Sequence, residues 1–246
     1  MPRGLSDYGL YQEQCAIAGM ADLGEAVARL DSINVFDRRG FTVWQDDFEA
    51  PVLRWSSVAI APGVVAVLNT TRAFSGIQCA YLNVPLGIGS QSTLRRTFPF
   101  IRSGKAGIEF WVQGFTKAPG WLSLVIGFYD GNIPSNAQLL LDTNTGTVSI
   151  NHTVAGVGVT TVIATNVYMQ TTDSYFLPIK LVVDMDTDMY VRLLVGEREF
   201  DISTYSLIIL PANTARFIQA TFLVLSNAID DMWAYIDDFI LTQNEP

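Results

Sequence analysis

Charge is scarce in this chain. Asp, Glu, Lys and Arg make up 16% of its 246 residues, against roughly 25% in an ordinary globular chain, while hydrophobic residues reach 49%. No run approaches the 18 or so apolar residues of a membrane span. The longest apolar stretches, 121–128 and 205–211, are strand-sized. Charge too sparse to cover a surface, without a membrane segment, points to apolar surface buried against other subunits. A large core under a Ser/Thr/Asn-rich exterior gives the same composition. A basic excess is also missing: the formal charge is −9, which argues against nucleic acid as the main partner. Arg outnumbers Lys twelve to three, a bias that suits interfaces and that a GC-rich genome also produces.

Reactive side chains are few. His152 is the only histidine, which excludes a His-rich zinc site and argues against a Ser-His-Asp triad. No Gly-x-Ser-x-Gly elbow occurs. Of the two cysteines, Cys15 lies near the N-terminus and Cys79 in an apolar stretch. Two free buried thiols are expected rather than a disulfide. Glycosidic chemistry needs paired carboxylates across the scissile bond, and no Glu-x-Asp-x-Glu strand is present. Glu109 is followed by Phe110 and Trp111, and Glu197 and Glu199 flank Arg198 at a turn. The expectation is that the protein is not an enzyme. Residues 1–20 show no secretory signal, so synthesis in a cytoplasm is expected.

What is present is strand texture. Val, Ile, Thr, Phe and Tyr dominate 42–49, 57–61, 64–70, 78–84, 92–98, 106–114, 121–129, 137–142, 146–151, 159–165, 178–185, 189–195, 198–202, 217–225 and 234–242, with Gly, Pro, Asn or Asp in most gaps. Two bookends stand out: Trp44-Gln45-Asp46-Asp47-Phe48-Glu49 and Tyr235-Ile236-Asp237-Asp238-Phe239-Ile240-Leu241. Laid side by side they would close an all-β sandwich over 41–246. Strict alternation would place Tyr235, Asp237, Phe239 and Leu241 on one face of the closing strand. Residues 1–40 are different: an N-terminal arm with one short helix, capped by Asp22 and Glu25, with Leu23, Ala26, Val27 and Leu30 on one face. That stripe is too narrow to stand alone. Leu23, Val27 and Leu30 are therefore the expected interface, docked on a neighbouring subunit or on the arm's own sandwich.

The order of these pieces resembles the concanavalin A-like or LamG-like jelly roll. The residues that carry it are 43–55 as opening strand, Ala73–Leu82 after a glycine turn, Gly107-Ile108-Glu109-Phe110-Trp111-Val112 as a central strand, the 137–150 hairpin, the 178–195 pair and 234–242 as exit strand. The resemblance implies an all-β, two-sheet antiparallel jelly-roll sandwich. That fold hosts lectins, hydrolases and structural modules, and so leaves function open. The arm joined to "Asp-Arg-Arg-Gly" and a "DDFE" sandwich is similar to virion proteins of tailed bacteriophages. It implies a non-enzymatic virion component made in the host cytoplasm: a capsid decoration, cement or fibre-like subunit. Its partners would be the capsid shell and its own copies, with a homotrimer first. The competing reading is a carbohydrate-binding, lectin-like module with a glycan partner.

Three further features each allow two uses. Sandwiches with such bookends can hold a structural calcium, and Asp47, Glu49, Asp237 and Asp238 are its candidate ligands; capping turns or pairing with Arg54, Arg95 or Arg96 is the alternative use of the same acids. Asp184, Asp186 and Asp188 copy the start of a calcium loop, but Met189 and Val195 break the pattern, so a hairpin turn is expected. Trp44, Trp55, Trp111, Trp121 and Trp233 are either a sugar-stacking platform or core.

Overall fold

The computed structural model describes residues 36–37, 39–60, 64–85, 89–99, 104–114, 120–142, 145–167, 175–226 and 231–246. Among them there is no helix, and all regular structure is antiparallel β. Sheet A runs β13 (Arg198–Asp201), β12 (Met189–Val195), β11 (Leu177–Asp184), β6 (Lys105–Gly114), β16 (Met232–Gln243), β4 (Cys79–Val84), β3 (Val64–Asn69), with β1 (Phe41–Asp46) also on β16. Sheet B runs β10 (Val157–Ala164), β9 (Thr147–Val154), β8 (Ser135–Asp142), β7 (Gly120–Asp130), β15 (Arg216–Ser226), β5 (Gln91–Pro99), β2 (Ser56–Ile60), with β14 (Ile208–Ile209) on β8. Alternation builds the core. Ile108, Phe110 and Val112 of β6 meet Leu122, Leu124 and Ile126 of β7, and Ile218, Ala220, Phe222 and Val224 of β15, in one buried cluster. The expected helix, with Leu23, Val27 and Leu30, lies outside the described residues.

The bookends pair as expected: Trp44 lies opposite Leu241, Gln45 opposite Ile240 and Asp46 opposite Phe239. The predicted alternation along the closing strand needs correction. Register against β6 slips between Asp237 and Ile240, and Asp238 adopts φ 44°. This β-bulge inserts one residue and exchanges the faces beyond it. Ala234 and Ile236 point into the core before it, and Phe239 and Leu241 after it. Tyr235 joins an outer cluster with Cys79 and Phe176. The bulge also divides one edge of β16: Met232–Ile236 pair with β4, and Phe239–Gln243 with β1.

The β9–β10 hairpin closes through a two-residue loop, with Val154 opposite Val157. Both loop residues have positive φ, Ala155 at 50° and Gly156 at 81°. This is the primed turn that suits strand twist, and Ala is a poor occupant of its first position. Ala155→Asn should stabilise the fold by about 0.5–1 kcal/mol, read as a higher denaturant midpoint at unchanged slope. A lower midpoint would contradict the turn assignment.

Candidate functional site

Three polar constellations emerge. The first lies on the outer face of sheet A. Lys180 on β11 is fully buried, as are Glu109 on β6 and Glu245 after β16, and Arg192 on β12 is nearly so. Lys180 Nζ lies 2.9 Å from Glu245 Oε1, 3.1 Å from Asp37 Oδ2 and 3.9 Å from Glu109 Oε2. Arg192 pairs with Glu245 and donates to the Pro246 carbonyl. The end of the arm is threaded into this cluster. The Phe36 and Asp37 amides donate to Glu109, and Lys180 donates to the Asp37 and Arg39 carbonyls. Arg39 forks onto Glu199 at 3.0 and 2.9 Å. Gly107 makes room, since a Cβ there would come within 2.5 Å of Thr242 Oγ1. The arm thus meets its own sandwich at Phe36, Asp37 and Arg39. Glu109, the one carboxylate beside an aromatic central-strand motif, is sealed beneath that segment.

The second constellation is the bookend carboxylates. Glu49 Oε1 accepts the Ile77 and Gln78 amides at 2.8 and 2.9 Å. Asp237 accepts the Phe74, Ser75 and Asp238 amides, and Asp238 takes the Ser75 hydroxyl at 2.7 Å. Asp47 caps the Glu49 amide. Asp46, passed over in the sequence reading, accepts the Phe48 amide and the Trp55 indole N–H at 3.0 Å. These acids fasten the loop before β4 to the bulge. They do not converge on a cation: among the described residues no three His, Cys, Asp or Glu side chains are placed to hold a metal ion. The hydrogen bonds of Asp47, Glu49 and Asp237 to backbone amides match the turn-capping alternative. The Asp184–Asp188 turn behaves likewise, with Asp184 accepting the Asp186 amide and Asp186 accepting that of Gly104.

Burial pushes Glu109 up to about 7, although Lys180 and two amides oppose it. Asp237 rises to about 8 through burial and then the neighbouring Asp238. Unfolded carboxyls titrate near ~4, so between that value and 7–8 the folded chain holds protons that the unfolded chain lacks. The stability these groups contribute is fully present below the ordinary carboxylate pKa and is lost as pH rises through 7 and then 8. Asp37 has the opposite sign: burial raises it, but Arg39 and Lys180 outweigh burial and hold it low, so its contribution fails only in acid. The urea midpoint should therefore fall from about pH 5 to about pH 8.5, and Glu109→Gln should flatten the lower half of that fall. A midpoint rising across this range would contradict the assignment.

The third constellation is the outer face of sheet B. The register aligns its side chains in rows across the strands. One row reads Thr160, Asn151, Gln138, Val125, Thr221, Arg95, Ser56 from β10 to β2. The next reads Asn136, Gly127, Gln219, Thr97 from β8 to β5. The amides are linked laterally. Gln138 Nε2 donates to Ser123 Oγ at 3.0 Å, Asn151 Nδ2 to Gln138 Oε1 at 2.9 Å, and Thr160 Oγ1 to Asn151 Oδ1 at 2.6 Å. Gln219 reaches Thr97. Tyr190, crossing the core from β12, fixes the backbone beneath: its hydroxyl donates to the Asn151 carbonyl and accepts the Gln138 amide. Asn136 Oδ1 is buried without a hydrogen-bond partner. Aromatic groups flank the rows along the strand direction, Trp121 toward one end of β7 and the stacked Tyr129–Phe217 pair, 4.2 Å apart, toward the other end of β7 and β15. In these two rows Arg95 is the only charged side chain. Of these residues the sequence marks only Trp121 and Arg95; the signal for the others is an amide or hydroxyl at alternate positions of β8, β9 and β15.

The tryptophans divide between roles. Trp55 is core, and Trp44 packs against that core. Trp111 stacks on Phe74 at 3.7 Å on the outer side of sheet A, and Trp233 packs on Tyr235 beneath Arg72. They form no single platform. The Trp111–Phe74 stack walls a groove of about 1030 Å³ with Phe36, Tyr175, Phe176 and Arg198. His152 is buried and hydrogen-bonds Thr161 across the hairpin. Cys79 is a free, buried thiol.

No protein-family model and no curated protein matches the chain. Solved structures do. The catalytic domain of an endo-1,3-β-glucanase (laminarinase) from Thermotoga petrophila aligns with TM-score 0.52 at 13% identity, over 84% of this chain and 99% of its own. The carbohydrate recognition domain of Emp47p gives 0.51 at 10%, over 85% and 99%. A Bacillus subtilis protein of unknown function with a galectin-like fold gives 0.50 at 10%, over 84% and 97%. At such identities the likeness is one of fold, and it agrees with the strand order: the chain is a two-sheet, concanavalin A-like jelly-roll sandwich.

Proposed function

We propose that the protein is a non-enzymatic, glycan-binding sandwich, and that the outer face of sheet B is its binding surface. The observation that carries this reading is the laterally hydrogen-bonded run Gln138–Asn151–Thr160, anchored on the buried Ser123. A sugar offers closely spaced hydroxyls that donate and accept at once. A floor of tethered, uncharged amides and hydroxyls matches that chemistry with little ordering cost. The flanking Trp121, Tyr129 and Phe217 offer ring surface to the apolar faces of pyranoses. Two of the fold neighbours, a laminarinase and a carbohydrate recognition domain, are carbohydrate-directed proteins by name. Hydrolysis would need two carboxyls within about 5–10 Å across the bond, and the two polar rows of this face contain none. Glu109, the sequence candidate, is covered by Phe36 and Asp37. This places the lectin-like reading ahead of the virion one, which rests on the likeness of the arm and on low charge; a glycan-binding virion subunit would combine both.

The test is a glycan array followed by calorimetry on the purified chain. A soluble oligosaccharide should bind, without turnover. Gln138→Ala and Asn151→Ala should each weaken it about tenfold or more, equivalent to about 1.4 kcal/mol. Failure to retain any glycan would overturn the reading. So would binding indifferent to both variants but abolished by Trp111→Ala on the opposite sheet.

A further inference from the structure

We infer that β10 is a pairing edge, along which a second copy of this chain docks antiparallel about a twofold axis, joining the two B sheets into one. Six strands pair on one side only, and five of them are blunted. β14 is two residues long, and β1 is broken by a register shift between Thr42 and Trp44. β13 is four residues long and carries Arg198, Glu199 and Asp201. β3 is interrupted by a register shift between Val64 and Val67. β2 is five residues long, and the side of the sandwich next to it is tied shut by serines, with Ser57 Oγ accepting the Ala66 amide and Ser92 Oγ donating to the Val64 carbonyl. β10 is irregular only near its far end, where register shifts between Val162 and Ala164. Its first six residues, Val157–Val162, run in unbroken register without charge or proline, and the strand pairs on one side only. Soluble proteins guard edges of this kind because their open N–H and C=O groups recruit another strand.

Both faces of β10 want cover. The core-facing side chains Val157 and Val159 are 65% and 37% exposed, so the edge overhangs the sandwich beyond the reach of sheet A. Val162 on the opposite face is 53% exposed, and Val154 at the hairpin 52%. The occupant follows from charge. The chain carries a net −9, so two copies repel over most of their surface. From Thr145 to Val167 there is no Asp, Glu, Lys or Arg. A basic or acidic partner finds nothing to pair with here, whereas a second copy meets no repulsion. Twofold symmetry then supplies the antiparallel orientation, with the same patch on both sides. Val157–Val162 paired along both strands, with the valines enclosed, bring the buried area of the two copies toward the lower bound of roughly 1,000 Å² for a specific interface. The polar row of sheet B runs out at Thr160, on this strand. If that row binds glycan, as proposed above, pairing would bring two rows edge to edge and make the particle bivalent.

Sedimentation velocity on the full chain over a concentration series tests this without any ligand. Twice the chain mass is expected. Val157→Lys and Val159→Lys, made separately, should each give monomer with unchanged far-UV circular dichroism, and Val58→Lys on β2 should leave the dimer intact. Neither valine on β10 faces the polar row. A monomeric or trimeric wild type, a dimer that survives both β10 lysines, or a dimer broken equally by Val58→Lys would each overturn the inference. The glycan reading fails separately: a dimer that binds no sugar keeps the edge and sinks the face. If both hold, the Val157→Lys monomer should keep its affinity for a soluble oligosaccharide but lose roughly 10²-fold or more on a glycan-coated surface.

Discussion

Replacing Lys180 by Met should cost about 3–5 kcal/mol of folding stability, the range for leaving a buried charge without its partner. Lys180 is the hub of the outer cluster on sheet A, at 2.9 Å from Glu245, 3.1 Å from Asp37 and 3.9 Å from Glu109, and it also holds the Asp37 and Arg39 carbonyls. Methionine fills a similar volume, so packing loss is small and the deficit is electrostatic. Arg192 still serves Glu245, and Arg39 still pairs with Asp37 at 2.9 Å, which leaves Glu109 as the stranded carboxylate. Two readouts follow from this. The deficit should shrink as pH falls, because protonation discharges Glu109. Adding Glu109→Gln to Lys180→Met should recover part of the loss, a coupling that a double-mutant cycle isolates. A loss under about 1 kcal/mol, or one unchanged between mild acid and neutral pH, would show that the cluster is solvated rather than buried.

Replacing Trp55 by Ala should be as damaging, at about 3–5 kcal/mol. Trp55 is 4% exposed and sits where the bookends close. Its ring lies 4.9 Å from Phe239 and 5.9 Å from both Phe48 and Phe222, with Trp44 at 6.0 Å and Phe98 at 6.3 Å. Its indole N–H also satisfies Asp46, a carboxyl already raised by burial. Alanine leaves a cavity among rigid rings and an acid short of a donor. Trp121→Ala, on the half-buried outer face of sheet B, should cost less than about 1 kcal/mol, as exposed-face truncations do. Guanidinium denaturation of the two variants side by side checks the contrast. Equal losses would mean that Trp55 is not the centre of the closure.

Most of the fold was legible because strand residues must alternate and turns need special conformations. The hairpins at Asp186–Asp188 and Gly196–Glu197 lie where expected, with Asp188 at φ 52° and Gly196 at φ 57°. Only β14, two residues long, had no counterpart, since so short a strand carries no periodicity. The site was far less legible. Carboxylates and tryptophans are conspicuous in the sequence, and the structure uses most of them in loop fastening, an ion cluster and core. Gln138, Asn151, Thr160 and Ser123 are individually ordinary; their meaning lies in a register that links β7, β8, β9 and β10 sideways.

The sequence by itself determined that this chain is an all-β sandwich closed by its own ends. Local physics suffices for that: β-branched and aromatic alternation writes each strand, and matching aromatic-acid motifs write the first and last. Tertiary structure alone decided the rest. One extra residue at Asp238 reversed which side of the closing strand is core, because a bulge is a relation between two strands and not a property of one. The same holds for the buried Lys180 cluster, whose members come from residues 37 to 245, and for the polar rows of sheet B. Each depends on which strands become neighbours, and the free energy that selects neighbours comes from burying the core as a whole.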